Sequence, residues 1–182
     1  MFRYSSFVFA FPAFLEKRGM EKMVSTEWLK KTELFGNLNE SHLKIVLSRS
    51  SIESFPEGKL IFRQGEEATR LYILIEGAVN LTVKTQKQTD YMTSKIDKEG
   101  AAFGIPSLIE PFHYNVTATC LKPSKVLTIE ADHLMKKMEE DPRMGMEIMK
   151  KLTSIYFNRL NALRSGVSNL LHALKPTNQG HP

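Results

Sequence analysis

FGIPSLIEPFHYNVTATC, residues 103–120, joins a glycine, a helix-start signal and a β-branched run within one short stretch. Gly104 follows an aromatic residue and allows a sharp change of chain direction. Pro106 then sits where a first helical turn would start, a position that tolerates its missing N–H. Ser107, Leu108 and Ile109 continue that turn, and a polar return through His113, Tyr114 and Asn115 leads into a β-branched run ending at Cys120. Such a loop offers an anion the free N–H groups of Ser107 and Leu108 and the Ser107 hydroxyl, at the positive end of a short helix. It carries no Arg or Lys to neutralise that anion.

On either side of the loop the sequence alternates with period two between turn signals. Ile52 and Phe55 lead to a turn at Pro56-Glu57-Gly58, Leu60-Ile61-Phe62 to a second turn at Gln64-Gly65-Glu66-Glu67, and Leu71 to Ile75 to a third at Glu76-Gly77. Val79, Leu81 and Val83 alternate cleanly, Tyr91 to Ile96 forms a further strand ending near Gly100, and Val116–Leu121 and Lys125–Ile129 supply two more. About seven or eight short strands at intervals of roughly 8–12 residues predict a sandwich or a jelly-roll barrel. Helices flank them. Ser25–Lys31 and Asn39–Leu47 precede the strands, and Ala131–Glu140 follows with Leu134 and Met138 turned inward. Asp141 caps a final helix with Pro142 at its first position. That helix reaches about Leu163, Gly166 interrupts it, and a weaker segment extends to Leu174. The expected organisation is therefore an N-terminal arm or extension (1–24), helices with a β-barrel (25–141), a C-terminal dimerisation helix with a weaker helix (142–174) and a disordered tail (175–182).

The chain has 182 residues, 42% hydrophobic and 25% charged, with a formal net charge of +5, as an ordinary folded domain would. Twenty-five basic against 20 acidic residues is too even a balance to predict nucleic-acid binding. Cys120 is the one cysteine, which excludes an intramolecular disulfide and fits a cytoplasmic protein with a buried, inert thiol. Residues 7–15 (FVFAFPAFL) are apolar, but they are broken by Pro12, followed by Glu16-Lys17-Arg18 and too short to span a bilayer. They read as a docked arm, a membrane-surface anchor, or an extension ahead of a start at Met20 or Met23.

Taken in order, these motifs resemble the cyclic nucleotide-binding domain family, which includes the catabolite activator proteins and the regulatory subunits of cyclic-AMP-dependent protein kinase. Gly58-Lys-Leu-Ile-Phe-Arg-Gln-Gly-Glu66 is similar to the family's first glycine turn, strand and second turn. Leu71-Tyr-Ile-Leu-Ile-Glu-Gly77 is similar to its next strand and glycine corner, and Phe103-Gly104 with Ser107-Leu108-Ile109 to its phosphate-binding cassette. Ala118 fits the small residue of the following strand, and Asp141-Pro142 the hinge before a dimerising helix. The resemblance covers about residues 32–164. It implies a mainly β fold with flanking helices, a double-stranded β-helix (jelly-roll) barrel plus a long C-terminal helix. It also implies that cassette occupancy is coupled to movement of that helix.

Two departures from the family pattern bear on function. In members that bind cyclic nucleotides, a Glu after the cassette Gly holds the ribose and an Arg before the next strand neutralises the cyclic phosphate. Ile105 and Tyr114 stand at those positions here, with His113 beside the second. The candidate ligand-binding residues are Phe103, Gly104, Ile105, Pro106, Ser107, Leu108, His113, Tyr114 and Asn115. Tyr114 reads either as a donor or stacking partner for a ligand or as a half-buried rim aromatic, and Ile105 suits an aromatic or acyl ligand, or a plugged site. Met149, Leu152, Tyr156, Leu160 and Leu163, at spacings of three and four, predict a homodimer seam. His42, His113, His133, His172 and His181 lack metal-ligand spacing, and no nucleophile elbow, P-loop or carboxylate dyad occurs. The stretch after Arg164 is too short for a helix-turn-helix, so no direct DNA contact is expected.

The sequence thus predicts a non-enzymatic ligand-sensing regulatory module without a resident cofactor, which takes a small molecule of unknown identity (a cyclic nucleotide or another small anion among the candidates), with a protein partner as the candidate reader of its state. A constitutive dimeric adaptor with an empty pocket, or a genuine cyclic nucleotide-binding protein, are the alternatives.

Overall fold

The computed structural model describes residues 24–84 and 91–173. The expected arm (only Val24 of it is described) and the expected tail lie outside these residues. Two short helices, α1 (Thr26–Leu29) and α2 (Glu40–Ser48), lead into six strands: β1 (Ser50–Phe55), β2 (Leu60–Phe62), β3 (Arg70–Lys84), β4 (Tyr91–Ile96), β5 (Ala102–Phe103) and β6 (Thr117–Glu130). A single 3-10 turn, Ile105–Leu108, lies between β5 and β6, and α3 (Ala131–Glu140) and α4 (Pro142–Ala173) close the order. All pairings are antiparallel, in the order β1-β6-β3-β4, with β2 on β6 and β5 on β3. This is the expected barrel with a long C-terminal helix.

The two longest strands organise the molecule. β3 and β6 pair from Arg70↔Glu130 to Thr82↔Thr117, with register shifts between Leu74 and Val79. The expected turn at Glu76-Gly77 is one of these bulges, so the two short strands read on either side of it are a single strand. Gly77 has φ 111°, and a Cβ there would overlap Ser124 on the partner strand. Ser124 secures the irregularity: its Oγ accepts from Ala78 N–H at 3.1 Å and donates to the Lys122 carbonyl at 2.8 Å.

Both faces of β3 are covered, which is why Leu71 to Ile75 reads as an unbroken apolar run. Leu71, Ile73 and Ile75 point into a core shared with the helices, among them Leu29, Phe35, Leu43, Leu134 and Ile148. Tyr72 and Leu74 point the other way, into the barrel interior with Phe62, Val79, Phe103, Tyr114 and Val126. Cys120 is buried in this second cluster, and its burial pushes the thiol pKa up, against nucleophilic use.

α4 starts as its capping residue dictates. Asp141 Oδ1 accepts from the N–H groups of Arg143 and Met144 at 3.1 and 3.2 Å, and Oδ2 meets His42 Nε2 at 2.8 Å. The helix continues through Gly166 to Ala173 without the expected break. One glycine costs a helix only about 1 kcal/mol relative to alanine, too little to end one this long.

The Met144 N–H and the His42 ring, in that order, hold the Asp141 carboxyl below its ordinary value. A depressed carboxylate pKa stabilises the fold above the unfolded value of about 4, and that stabilisation is lost as pH falls through the folded value. Asp141→Asn is therefore expected to melt below the wild type near neutrality. Thermal scans across the acid range check this: the gap should close as pH falls below about 4, and a pH-independent gap would contradict the linkage.

Candidate functional site

The cassette is built on a left-handed glycine. Gly104 has φ 73°, and a Cβ there would stand 2.8 Å from the Tyr72 ring and 3.0 Å from the Arg70 carbonyl, so the position admits only glycine. The 3-10 turn that follows is inserted into the protein. Ile105, Ser107 and Leu108 are buried, and Ile105 and Leu108 join the helical core. Ser107 N–H, read from the sequence as an anion donor, is already used: it donates to the Gly104 carbonyl at 3.1 Å. Ser107 Oγ is fully buried without a hydrogen-bond partner among the described residues. The turn thus faces inward, where the sequence suggested an open cradle.

Tyr114, read from the sequence as standing at the position of the family's phosphate-binding Arg, also turns inward. It is 4% exposed, and its ring stacks on Phe62 with centroids 3.8 Å apart and planes at 15°. Phe62 lies 5.6 Å from Tyr72, and Tyr72 lies 5.1 Å from Phe103, so four rings fill the barrel beneath the cassette. The Tyr114 hydroxyl donates to the Arg70 carbonyl at 2.8 Å and accepts from the Arg70 N–H at 3.2 Å. Burial raises the phenol pKa further, so at neutral pH it is an uncharged group whose polar end is engaged by β3. His113 is exposed, with Nδ1 2.6 Å from the Pro111 carbonyl.

A cavity of about 580 Å³ opens above this aromatic floor, between the barrel and α4. That is a common size for a small-molecule site. Of the candidate residues, Phe103, Gly104, Ile105, Pro106, Tyr114 and Asn115 line it, whereas Ser107, Leu108 and His113 do not. The sequence reading missed Phe62, Leu81, Val83, Ser94 and Val116 on the barrel side, and Arg159, Ala162 and Gly166 on the helix. Tyr156, Leu160 and Leu163, read from the sequence as dimer residues, also line the cavity. Leu152, the remaining inward member of that stripe, is 3% exposed and packs within the helical core, so it is unavailable to a second chain.

Arg159 ties the helical wall to the cassette. Its Nη2 donates to the Ala102 carbonyl at 2.6 Å, two residues before Gly104, and lies 3.5 Å from Glu33 Oε2. The same Glu33 oxygen accepts from the Ala102 N–H at 3.2 Å. Among the described residues, no three His, Cys, Asp or Glu side chains gather as a metal ion would require, and no helix is long and apolar enough to cross a membrane.

Comparison with known proteins agrees with this architecture. The family model for the cyclic nucleotide-binding domain matches residues 52–141, which takes in the cassette and stops where α4 begins. A Geobacter metallireducens chain of known structure, assigned to the cyclic nucleotide-binding proteins, is 32% identical with a TM-score of 0.67, and the similarity covers 76% of this chain and 99% of that one. The global nitrogen regulator of Synechococcus elongatus is 29% identical over 108 residues, 57% of this chain and 47% of the regulator. The CRP-like cAMP-activated global transcriptional regulator of Mycobacterium tuberculosis is 23% identical over 145 residues, 80% of this chain and 62% of that protein. The chain thus spans about half the length of the first of these regulators and somewhat more of the second.

Proposed function

The chain belongs to the cyclic nucleotide-binding domain family, and we propose that it is a non-catalytic, cytoplasmic ligand-sensing module whose cassette does not hold cyclic AMP or cyclic GMP tightly. The observation that carries this reading is Tyr114. An Arg at that position would point a cation at a phosphate, whereas Tyr114 is stacked in the barrel with its hydroxyl on the Arg70 backbone. Ile105, at the position of the ribose-binding Glu, is 2% exposed and offers no hydrogen bond. Each lost charge-assisted hydrogen bond removes roughly 1.5–3 kcal/mol, and every 1.4 kcal/mol is about tenfold in affinity.

Cyclic AMP and cyclic GMP are therefore expected to bind no tighter than about 100 μM, with little preference between them. Titration calorimetry at neutral pH tests this. Low-micromolar binding of either nucleotide would sink the reading and establish the chain as a genuine cyclic nucleotide binder.

The Arg159 contact supports a route from cavity to output. It joins α4 to the residue that precedes Phe103-Gly104, so a ligand that shifts the cassette pulls on the helix. The exposed residues Met149, Tyr156, Leu160 and Leu163, continued by Val167, favour a homodimer through α4. A dimer seam on the helix that walls the cavity lets ligand and assembly influence one another. On this reading the adaptor role and the sensor role share one helix.

A further inference from the structure

Among the described residues the cavity lining contains a single charged side chain, Arg159, and its remaining surface is overwhelmingly apolar. From this we infer that the site takes an apolar monoanion: an acyl or aromatic body carrying one carboxylate, its headgroup on the Arg159 guanidinium. The inference rests on reading the cavity as a ligand site, and it names the ligand's class.

The guanidinium has five N–H donors. Its contacts among the described residues are the Ala102 carbonyl and the Glu33 carboxylate, both through Nη2. A carboxylate entering from the cavity has further N–H groups to receive it, and a planar fork suits it bidentately. The body of the ligand meets Phe103, Ile105, Val116 and Leu160, which reward burial of hydrocarbon. A sugar or purine would bring several donors and acceptors into a lining whose polar side chains besides Arg159 are Ser94, Asn115 and the tyrosines Tyr114 and Tyr156. Groups left unpaired there cost binding free energy. A dianion would bring two negative charges to a single cation that the Glu33 carboxylate already faces. Apolar body and single negative charge thus follow from separate features of one wall.

Engagement of Arg159 also has a structural consequence. The carboxylate competes with Glu33 for the same guanidinium, and Glu33 holds the Ala102 N–H at the root of the cassette. Filling the cavity therefore loosens the tie between α4 and β5.

The test is a matched titration of the intact chain, by calorimetry at neutral pH, with octanoate against octanol and phenylbutyrate against phenylbutanol. The acids are expected to bind at least about tenfold more tightly than the alcohols of the same body, as one charge-assisted contact requires. Arg159→Gln should reduce that preference to about twofold or less. Equal affinity of acid and alcohol for the wild type would overturn the assignment of the anion while leaving a ligand site in place, and that comparison needs no variant to fold. Retention of the acid preference in Arg159→Gln would overturn the role of Arg159. Failure of all four compounds to bind would overturn both the ligand class and the reading of the cavity as a ligand site.

Discussion

Tyr114→Ala is expected to lower the unfolding free energy by about 3–5 kcal/mol, the range for truncating a fully packed aromatic. Three contributions combine at this residue. The ring is removed from water, it stacks on Phe62 at 3.8 Å, and its hydroxyl satisfies both polar groups of the Arg70 backbone. Tyr114→Phe separates them, because it keeps the ring and deletes only the hydroxyl. It should cost about 1 kcal/mol, the net value of an ordinary hydrogen bond. Tyr114→Arg should be at least as damaging as Ala, since a guanidinium among Phe62, Tyr72 and Phe103 has no counter-charge in the stack. This bears on any attempt to restore nucleotide binding by writing the family's Arg back in, because the aromatic floor has closed over that position. Urea unfolding of the three variants measures all of this. A Tyr114→Ala variant within about 1 kcal/mol of the wild type would show that the stack is not a packed unit.

The sequence made the barrel legible because its signals are local. The apolar run from Leu71 to Ile75 and the alternation of Val79, Leu81 and Val83 need only neighbouring residues, and so does the Asp141-Pro142 start of α4. Errors arose where the outcome depends on a distant partner. Glu76-Gly77 reads as a turn, yet Ser124 on the opposite strand makes it a bulge. Gly166 reads as a break, yet the helix runs on through it. The direction of Tyr114 is set by Phe62 and by the Arg70 backbone, which no local pattern reports. Arg159 was missed for the same reason. On a helical stripe a lone charge reads as a solvent-facing residue, and only its contact with Ala102, 57 positions away, reveals its place at the cavity. The fold follows from periodicity, whereas the chemistry of the site follows from tertiary contact.

A single and a double substitution along α4 should behave in opposite ways. Leu152 lies in the core with Met144, Ile148 and Ile155, so Leu152→Glu buries a charge without a partner. It should cost about 3–5 kcal/mol at any protein concentration, as an uncompensated interior charge does. Met149 and Val167 are 40% and 54% exposed, outside the cavity lining, and fall on the same three-and-four spacing as Tyr156, Leu160 and Leu163. That spacing repeats about every 3.5 residues, the period that keeps a seam facing a second helix. Met149→Glu with Val167→Glu should leave the isolated chain folded, with a far-ultraviolet spectrum like the wild type's, while placing like charges on both partners of a parallel pair. Sedimentation at tens of micromolar should then show a wild-type dimer and a monomeric double variant. Because neither residue touches the cavity, octanoate binding measured on that monomer tells whether a second chain is needed to complete the site. A wild type that sediments as a monomer, or a double variant that stays dimeric, would remove α4 as the assembly surface and leave its exposed stripe to a different partner.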